Sequence, residues 1–255
     1  NERLLVCSSP TGPAFEGAQV SSGQRATIGA IERVQIDRET LEPRFKCIGS
    51  ELWSDEPGFT EAMAGTGVTG ICGSGIIEVV AEMYLAGILS TDGVVDGALA
   101  ERNQRIQADG RTFSYVLHAS SDPEVSDVLV TQNDVRQIQL AKAALYAGIK
   151  LLMDEMGVAT VDRIRLAGAF GSHISVSHAM VLGLIPDCDL EQVTSAGNAA
   201  GAGARMALLD RNARLEIAAT IAKAERIETA VADDFQAHFV GAMGLPHQSD
   251  PFPKL

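Results

Sequence analysis

Glycine clusters and a few polar side chains carry the chemistry that this sequence of 255 residues offers. Gly70-Ile71-Cys72-Gly73-Ser74-Gly75-Ile76 runs straight into a helical pattern. Free backbone N–H groups at a helix start attract anions, and glycines let a phosphate or ribose come close. The same residues also suit a serine-capped helix packed tightly on a strand. Gly168-Ala169-Phe170-Gly171 reads as a turn between a strand and a short helix. Ligands of α/β proteins sit beyond the carboxyl ends of strands, and a glycine turn with one aromatic there can pack a flat base. Glu16, held in the Gly/Pro stretch Gly12 to Gly17, is placed to act as a base or to bind a ligand hydroxyl.

Other patterns argue against particular chemistries. Gly65-Thr66-Gly67-Val68-Thr69-Gly70 matches G-x-G-x-x-G, but no strand precedes it, as a dinucleotide site requires. Ile76 and Ile77 stand where a Walker loop needs Lys and Ser or Thr. His173 and His178 are five apart, so they do not share a helical face as i, i+4 metal ligands do. Ser8 and Ser9 have no nearby His and no G-x-S-x-G elbow. Cys7, Cys47, Cys72 and Cys188 contain no C-x-x-C; they read as free, buried thiols of a reducing cytoplasm, and no metal is expected on this chain.

These residues need a scaffold, and the hydrophobic pattern supplies an α/β one. Leu4 to Cys7 is a short strand, and Glu32 to Ile36 with Phe45 to Ile48 forms a hairpin. Ile76, Ile77, Val80 and Met83 recur at helical spacing from Ser74 to Leu85, and Gly87 stops that helix. Asp92 to Gly110 reads as a polar loop; Phe113 to Leu117 and Val128 to Val130 pair as strands. Thr131 with Asp134 makes a capping-box pattern opening the longest helix. Its stripe is Val135, Ile138, Leu145, Ile149, Leu152 and Met156, and Gly157 ends it. This helix is expected to pack along a sheet containing the Val161 to Leu166 strand. A short helix over Val176 to Leu182, a strand over Gln192 to Ser195, and helices over Asn198 to Leu209, Leu215 to Ala224 and Asp233 to Met243 complete the order. Gly197 to Gly203 is all small residues apart from Asn198 and suits close helix packing.

Composition narrows the function further. Hydrophobic residues make up 46% and charged ones 21%, which fits one sizeable α/β domain over residues 1–255. With 33 acids against 20 bases the net charge is −13, which repels phosphate backbones and disfavours nucleic acid as a partner. No apolar run approaches the roughly 18 residues that would cross a bilayer, so no membrane partner is expected.

Four segments together resemble one family, the reductive activators of corrinoid proteins. They are Cys7 to Gly17, Gly70 to Ile77, Leu166 to Gly171, and Gly183-Leu184-Ile185-Pro186 running on to Gly197 to Ala204. The resemblance implies a ribonuclease-H-like lobe of the sugar kinase, heat-shock chaperone and actin superfamily. It implies an ATP-dependent, ferredoxin-linked metalloprotein that restores an oxidised corrinoid protein to the Co(I) state. ATP with Mg²⁺ would then be the cofactor, with Gly168, Ala169, Phe170 and Gly171 near the adenosine and Gly73 and Ser74 in the same half of the cleft. The iron–sulfur cluster would belong to an upstream ferredoxin domain. The superfamily's Asp-Gly-Thr loops do not occur here, and the sequence opens on Asn1, so the chain is expected to be the C-terminal part of a longer protein. The family's Cys-Ser-Cys reads Cys7-Ser8-Ser9 and its Gly-Gly-Phe-Gly reads Gly168-Ala169-Phe170-Gly171. Two rival readings remain: an interaction module of the same fold that has lost its nucleotide, and the activator of a radical dehydratase.

Overall fold

A computed structural model describes residues 3–255, apart from the side chains of residues 169 and 170. The chain runs β1 (Leu4–Cys7), β2 (Ala30–Ile36), β3 (Pro43–Cys47), α1 (Phe59–Met63), β4 (Gly70–Ile71) and α2 (Gly73–Leu85). It continues through β5 (Ile106–Asp109), β6 (Thr112–His118), β7 (Val128–Thr131), α3 (Gln132–Met156), β8 (Ile164–Ala167), α4 (Gly168–His173) and α5 (Val176–Val181). Then come β9 (Val193–Gly197), α6 (Ala199–Leu209), α7 (Arg211–Ile221), β10 (Ala224–Ile227) and α8 (Phe235–Gly241).

The strands form four small sheets. β2 lies between β3, antiparallel with Val34 opposite Phe45, and the two-residue β4, parallel with Ile31 opposite Ile71. β5, β6 and β7 make an antiparallel meander. β1 pairs parallel with β10, and β8 pairs parallel with β9. α2 packs on β2 so closely that a Cβ on Gly75 would stand 2.3 Å from the Ile31 carbonyl oxygen; glycine is required there. Most buried apolar residues form one contiguous core from Ala14 to Leu245 that takes in α2 and the first half of α3, and Ala143, Tyr146 and Ala242 form a small second cluster where α3 meets α8.

α3 begins as its sequence implies. Thr131 accepts from the Asp134 N–H and Asp134 accepts from the Thr131 N–H, so both halves of the capping box are made. Gly157 closes the helix in the left-handed region at φ 66°. The stripe differs from expectation. Val135 and Ile138 are fully buried, but Leu145, Ile149 and Leu152 are only half-buried and Met156 is exposed. The buried face turns instead through Gln139, Lys142 and Tyr146. The reason is α3's main partner, which is α8 together with the chain that follows it, and not the β8 sheet. Lys142, wholly buried, donates to the carbonyls of Gly244 and Pro246, so a charged side chain anchors that segment.

Three further expectations are corrected. The polar stretch Asp92 to Gly110 holds a 3₁₀ turn over Gly97–Glu101 and β5, whose single buried residue is Ile106. The helix expected over Leu215 to Ala224 spans Arg211–Ile221, opened by Asp210 accepting from the Asn212 N–H, and Ala224 already begins β10. Gly168 to Gly171 is not a turn but the first residues of α4, with Gly168 alone at positive φ, 96°.

Candidate functional site

Two adjoining clefts bring the sequence-marked residues together. The first, about 400 Å³, has the start of α2 on one wall, with Cys72, Gly73 and Ser74, and His173 at the end of α4 on another. Glu16, Gln24, Arg25 and Glu32 supply the rest of its polar lining. The second, about 310 Å³ and mostly apolar, is bounded by Thr11, Leu145, Leu166 and Gly171. Phe15 lines both clefts.

The polar loop of the first cleft is built by local hydrogen bonds. Ile71 donates to the Ser22 carbonyl and Gln24 donates back to the Ile71 carbonyl, which lays the Gly17 to Gly29 stretch along β4. A Cβ on Gly23 would meet the Gly17 carbonyl oxygen at 2.1 Å, so this crossing needs glycine. Asp134, beyond its capping role, accepts from the backbone and hydroxyl of Ser21 and ties the loop to α3. Gln24 Nε2 donates to Thr69 Oγ1, leaving Arg25 exposed at the rim.

α2 starts without a side-chain cap. Cys72, not Ser74, is the N-cap residue, and no side-chain bond closes it; Ser74 is buried with Oγ 3.4 Å from Cys72 Sγ. The positive end of a helix of 13 residues therefore faces the cleft. The carboxylate of Glu16, exposed on the opposite loop, faces the same space.

Gly73 and Ser74 share a cleft with α4 through His173, which sequence reasoning had weighed only as a metal ligand, and not through Gly168 or Gly171. Gly171 sits in the neighbouring apolar cleft, where a Cβ would meet the Leu166 backbone at 3.0 Å. Gly171 packs α4 closely on β8. Gly168 lines neither cleft, and among the described residues nothing lies within 4 Å of where a Cβ would stand. Ala169 and Phe170, the other expected adenosine contacts, have side chains outside the described part of the structure. Ser172 Oγ donates to the Gly168 carbonyl and receives Ser195 Oγ at 3.1 Å, which holds α4 over β9. All four cysteines are free thiols, with Cys47, Cys72 and Cys188 buried. Burial pushes the Cys47 thiol up to about 12, with Glu32 adding to the shift. No helix among the described residues is long and apolar enough to cross a membrane.

Small parallel sheets, a helix N-terminus at a glycine-lined cleft and helices on the sheet faces define a lobe of the ASKHA fold. A solved reductive activator for a corrinoid, iron–sulfur protein superposes over 98% of this chain with a TM-score of 0.83 at 31% identity, using 38% of that longer chain. A family model described as the C-terminal domain of RACo, the ASKHA domain, matches residues 1–255, and the chain belongs to that family. The corrinoid activation enzyme RamQ of Eubacterium limosum is 33% identical over 218 residues, covering 82% of this chain and 34% of that enzyme. The Co(II) methylated amine-specific corrinoid protein reductase of Methanosarcina barkeri is 24% identical over 260 residues, covering 98% of this chain and 44% of that reductase. The chain therefore spans between a third and a half of the length of the relatives it matches.

Proposed function

We propose that this chain supplies a nucleotide-facing lobe of an ATP-dependent reductive activator, a cytoplasmic protein that returns an oxidised corrinoid protein to the Co(I) state. The observation that carries the reading is the meeting of the uncapped start of α2 with the end of α4 across one cleft. The residues present fit part of a nucleotide. N–H groups at Gly73 and Ser74 and the rim guanidinium of Arg25 suit an anionic or ribose end. Gly168 stands at positive φ with no described atom within 4 Å of where a Cβ would be, which offers its backbone to a flat base. Among the described residues no group of three or more His, Cys, Asp and Glu side chains is placed to hold a metal ion. In this reading the main grip on the triphosphate, its Mg²⁺ and the cluster lies in segments outside residues 1–255.

ATP, when bound, can drive an uphill reduction only by binding two conformations with different affinity. This chain's part is to present one wall that the nucleotide distinguishes and a surface that meets the corrinoid protein. Calorimetric titration of the full-length protein tests the reading, alongside the optical signature of Co(I) formed with a corrinoid partner. ATP-dependent Co(I) formation is expected. Residues 1–255 alone should bind ATP no better than about millimolar, or about −4 kcal/mol. Gly168→Ala, which strains a φ of 96° by about 1–3 kcal/mol, should weaken ATP binding to the full-length protein several-fold. Unchanged affinity in a folded Gly168→Ala protein removes Gly168 from the site, and micromolar binding to residues 1–255 overturns the partial-lobe reading.

A further inference from the structure

α2 carries two charged residues, Glu78 and Glu82, four apart and so on one face of an otherwise apolar helix. Glu78 is 4% exposed. Both face β2 beyond the point where its short neighbour β4 ends. The Val34 N–H donates to Glu78 Oε2 and the Ile36 N–H to Glu82 Oε2, each at 2.9 Å. One helical turn and two strand residues have nearly the same length, about 6 Å, so the two carboxylates substitute for a missing strand.

The second oxygen of each carboxylate reaches toward the α4–α5 segment. Glu78 Oε1 receives Arg33 Nη1 at 2.7 Å, and that same Nη1 donates to the carbonyl of His173, the last residue of α4, at 3.1 Å. Glu82 Oε1 receives His178 Nε2 at 2.8 Å, and His178 Nδ1 lies 2.7 Å from Oγ of Ser175, the N-cap of α5. A carboxylate only accepts, so Nε2 carries a proton and donates to Glu82. Burial alone would raise the Glu82 carboxyl, but the bonds from His178 and the Ile36 N–H outweigh it and hold the group below the usual carboxylate range.

We infer that Arg33, Glu78, Glu82 and His178 are positioning residues that brace α4 and α5 against α2 and so set the separation of the two cleft walls. None of the four lines the cleft; each acts through His173 or Ser175. The helix whose first turn forms one wall thereby holds the helix that forms the other. A nucleotide touching both walls meets them as one body. This inference rests on the nucleotide reading.

The test uses the full-length protein with Mg-ATP, calorimetry and amide hydrogen exchange. In the wild type, ATP should slow exchange both in the first turn of α2 and in α4. The double variant Arg33→Lys/His178→Gln keeps a cation beside Glu78 but gives up the His173 carbonyl and the ring bridge. Its ATP affinity should fall about fivefold or more, at the lower end of site-to-site couplings. Its ATP-induced protection should survive in α2 and vanish in α4. Arg33→Lys alone, the milder variant, should show the same pattern more weakly. Glu82→Gln should behave as wild type, because its amide NH₂ can donate to Nε2 once the ring proton moves to Nδ1. Wild-type affinity and α4 protection in the double variant would overturn the brace, as would equal loss of protection in α2 and α4, the mark of a merely structural role. Absence of ATP binding by the wild type would overturn the nucleotide reading and the brace with it.

Discussion

α2 and α6 both open beside a glycine cluster, yet they have opposite fates in the fold. Nine of the thirteen residues of α2 are buried, whereas α6 and its neighbour α7 contain no buried residue. Local chemistry does not separate them. α6 is capped by Asn198 accepting from the Gly201 N–H and α7 by Asp210, while α2 has no side-chain cap at all. Caps and propensity determine that a helix forms; its cover determines whether the helix contributes to the core. The same contrast divides the sheets. β2 has partners on both edges, and where β4 runs out two glutamates take over. β1 and β8 each pair with a single strand, and Leu4 and Val6 of β1 are 40% exposed.

The largest effect that can sharpen this contrast lies inside the packed region. Ile77 is wholly buried on α2, and Ile77→Ala should cost about 2–5 kcal/mol in lost transfer energy and residual cavity. Urea unfolding reads this as a lower midpoint at unchanged slope. A cost below about 1 kcal/mol would mean that the α2 layer is loose in solution and that the contrast is overstated.

Lys142 tests the edge of the packed region, where α3 holds the segment after α8. Burial pushes its ammonium down to about 7, although the Gly244 and Pro246 carbonyls accept from it. Lys142→Met removes the donor and leaves two carbonyls unmet, for an expected loss of about 1–3 kcal/mol. The pH dependence has a definite sign. Above pH 7 the folded protein sheds this proton while the unfolded chain keeps it until about 10.4, so the unfolded state binds more protons and stability rises with pH through that window. The stability gap between wild type and Lys142→Met should therefore widen from pH 7 to pH 9. A gap that stays constant over that range would show that the carbonyls keep Lys142 charged.

Features set by neighbours along the chain were legible before the fold was known. The Thr131–Asp134 capping box, the Gly157 stop and the β2–β3 hairpin all rest on contacts within a few residues. β5 and β10 were hidden because Ile106-Gln107-Ala108-Asp109 and Ala224-Glu225-Arg226-Ile227 bury too few side chains to show alternation. In α3 the stripe Leu145, Ile149, Leu152 predicted a face that the fold leaves half-covered, while Lys142, outside that stripe, is core. The glycine spacing singled out Gly73 and Ser74, and His173 joins their cleft only through the path of α4. Glu78 and Glu82 did leave a signal. They are the two charges in an apolar helix and stand one turn apart, which a buried-partner argument would have caught.

The smallest expected effect lies on α6, and it is the one best able to break the contrast. Leu208 and Leu209 are 78% and 77% exposed, so neither contributes a full burial term to the folded chain. Replacing either with Ser in residues 1–255 should change stability by less than about 0.5 kcal/mol, the range of surface substitutions. Met206, Leu215 and Ile221 are exposed on the same helix pair, so this region should bind a hydrophobic dye in the native state. The double variant Leu208→Ser/Leu209→Ser should lower that emission while the urea midpoint stays fixed. A loss approaching that of Ile77→Ala would mean that α6 is covered in solution. The contrast between a packed α2 and an open α6 would then fall.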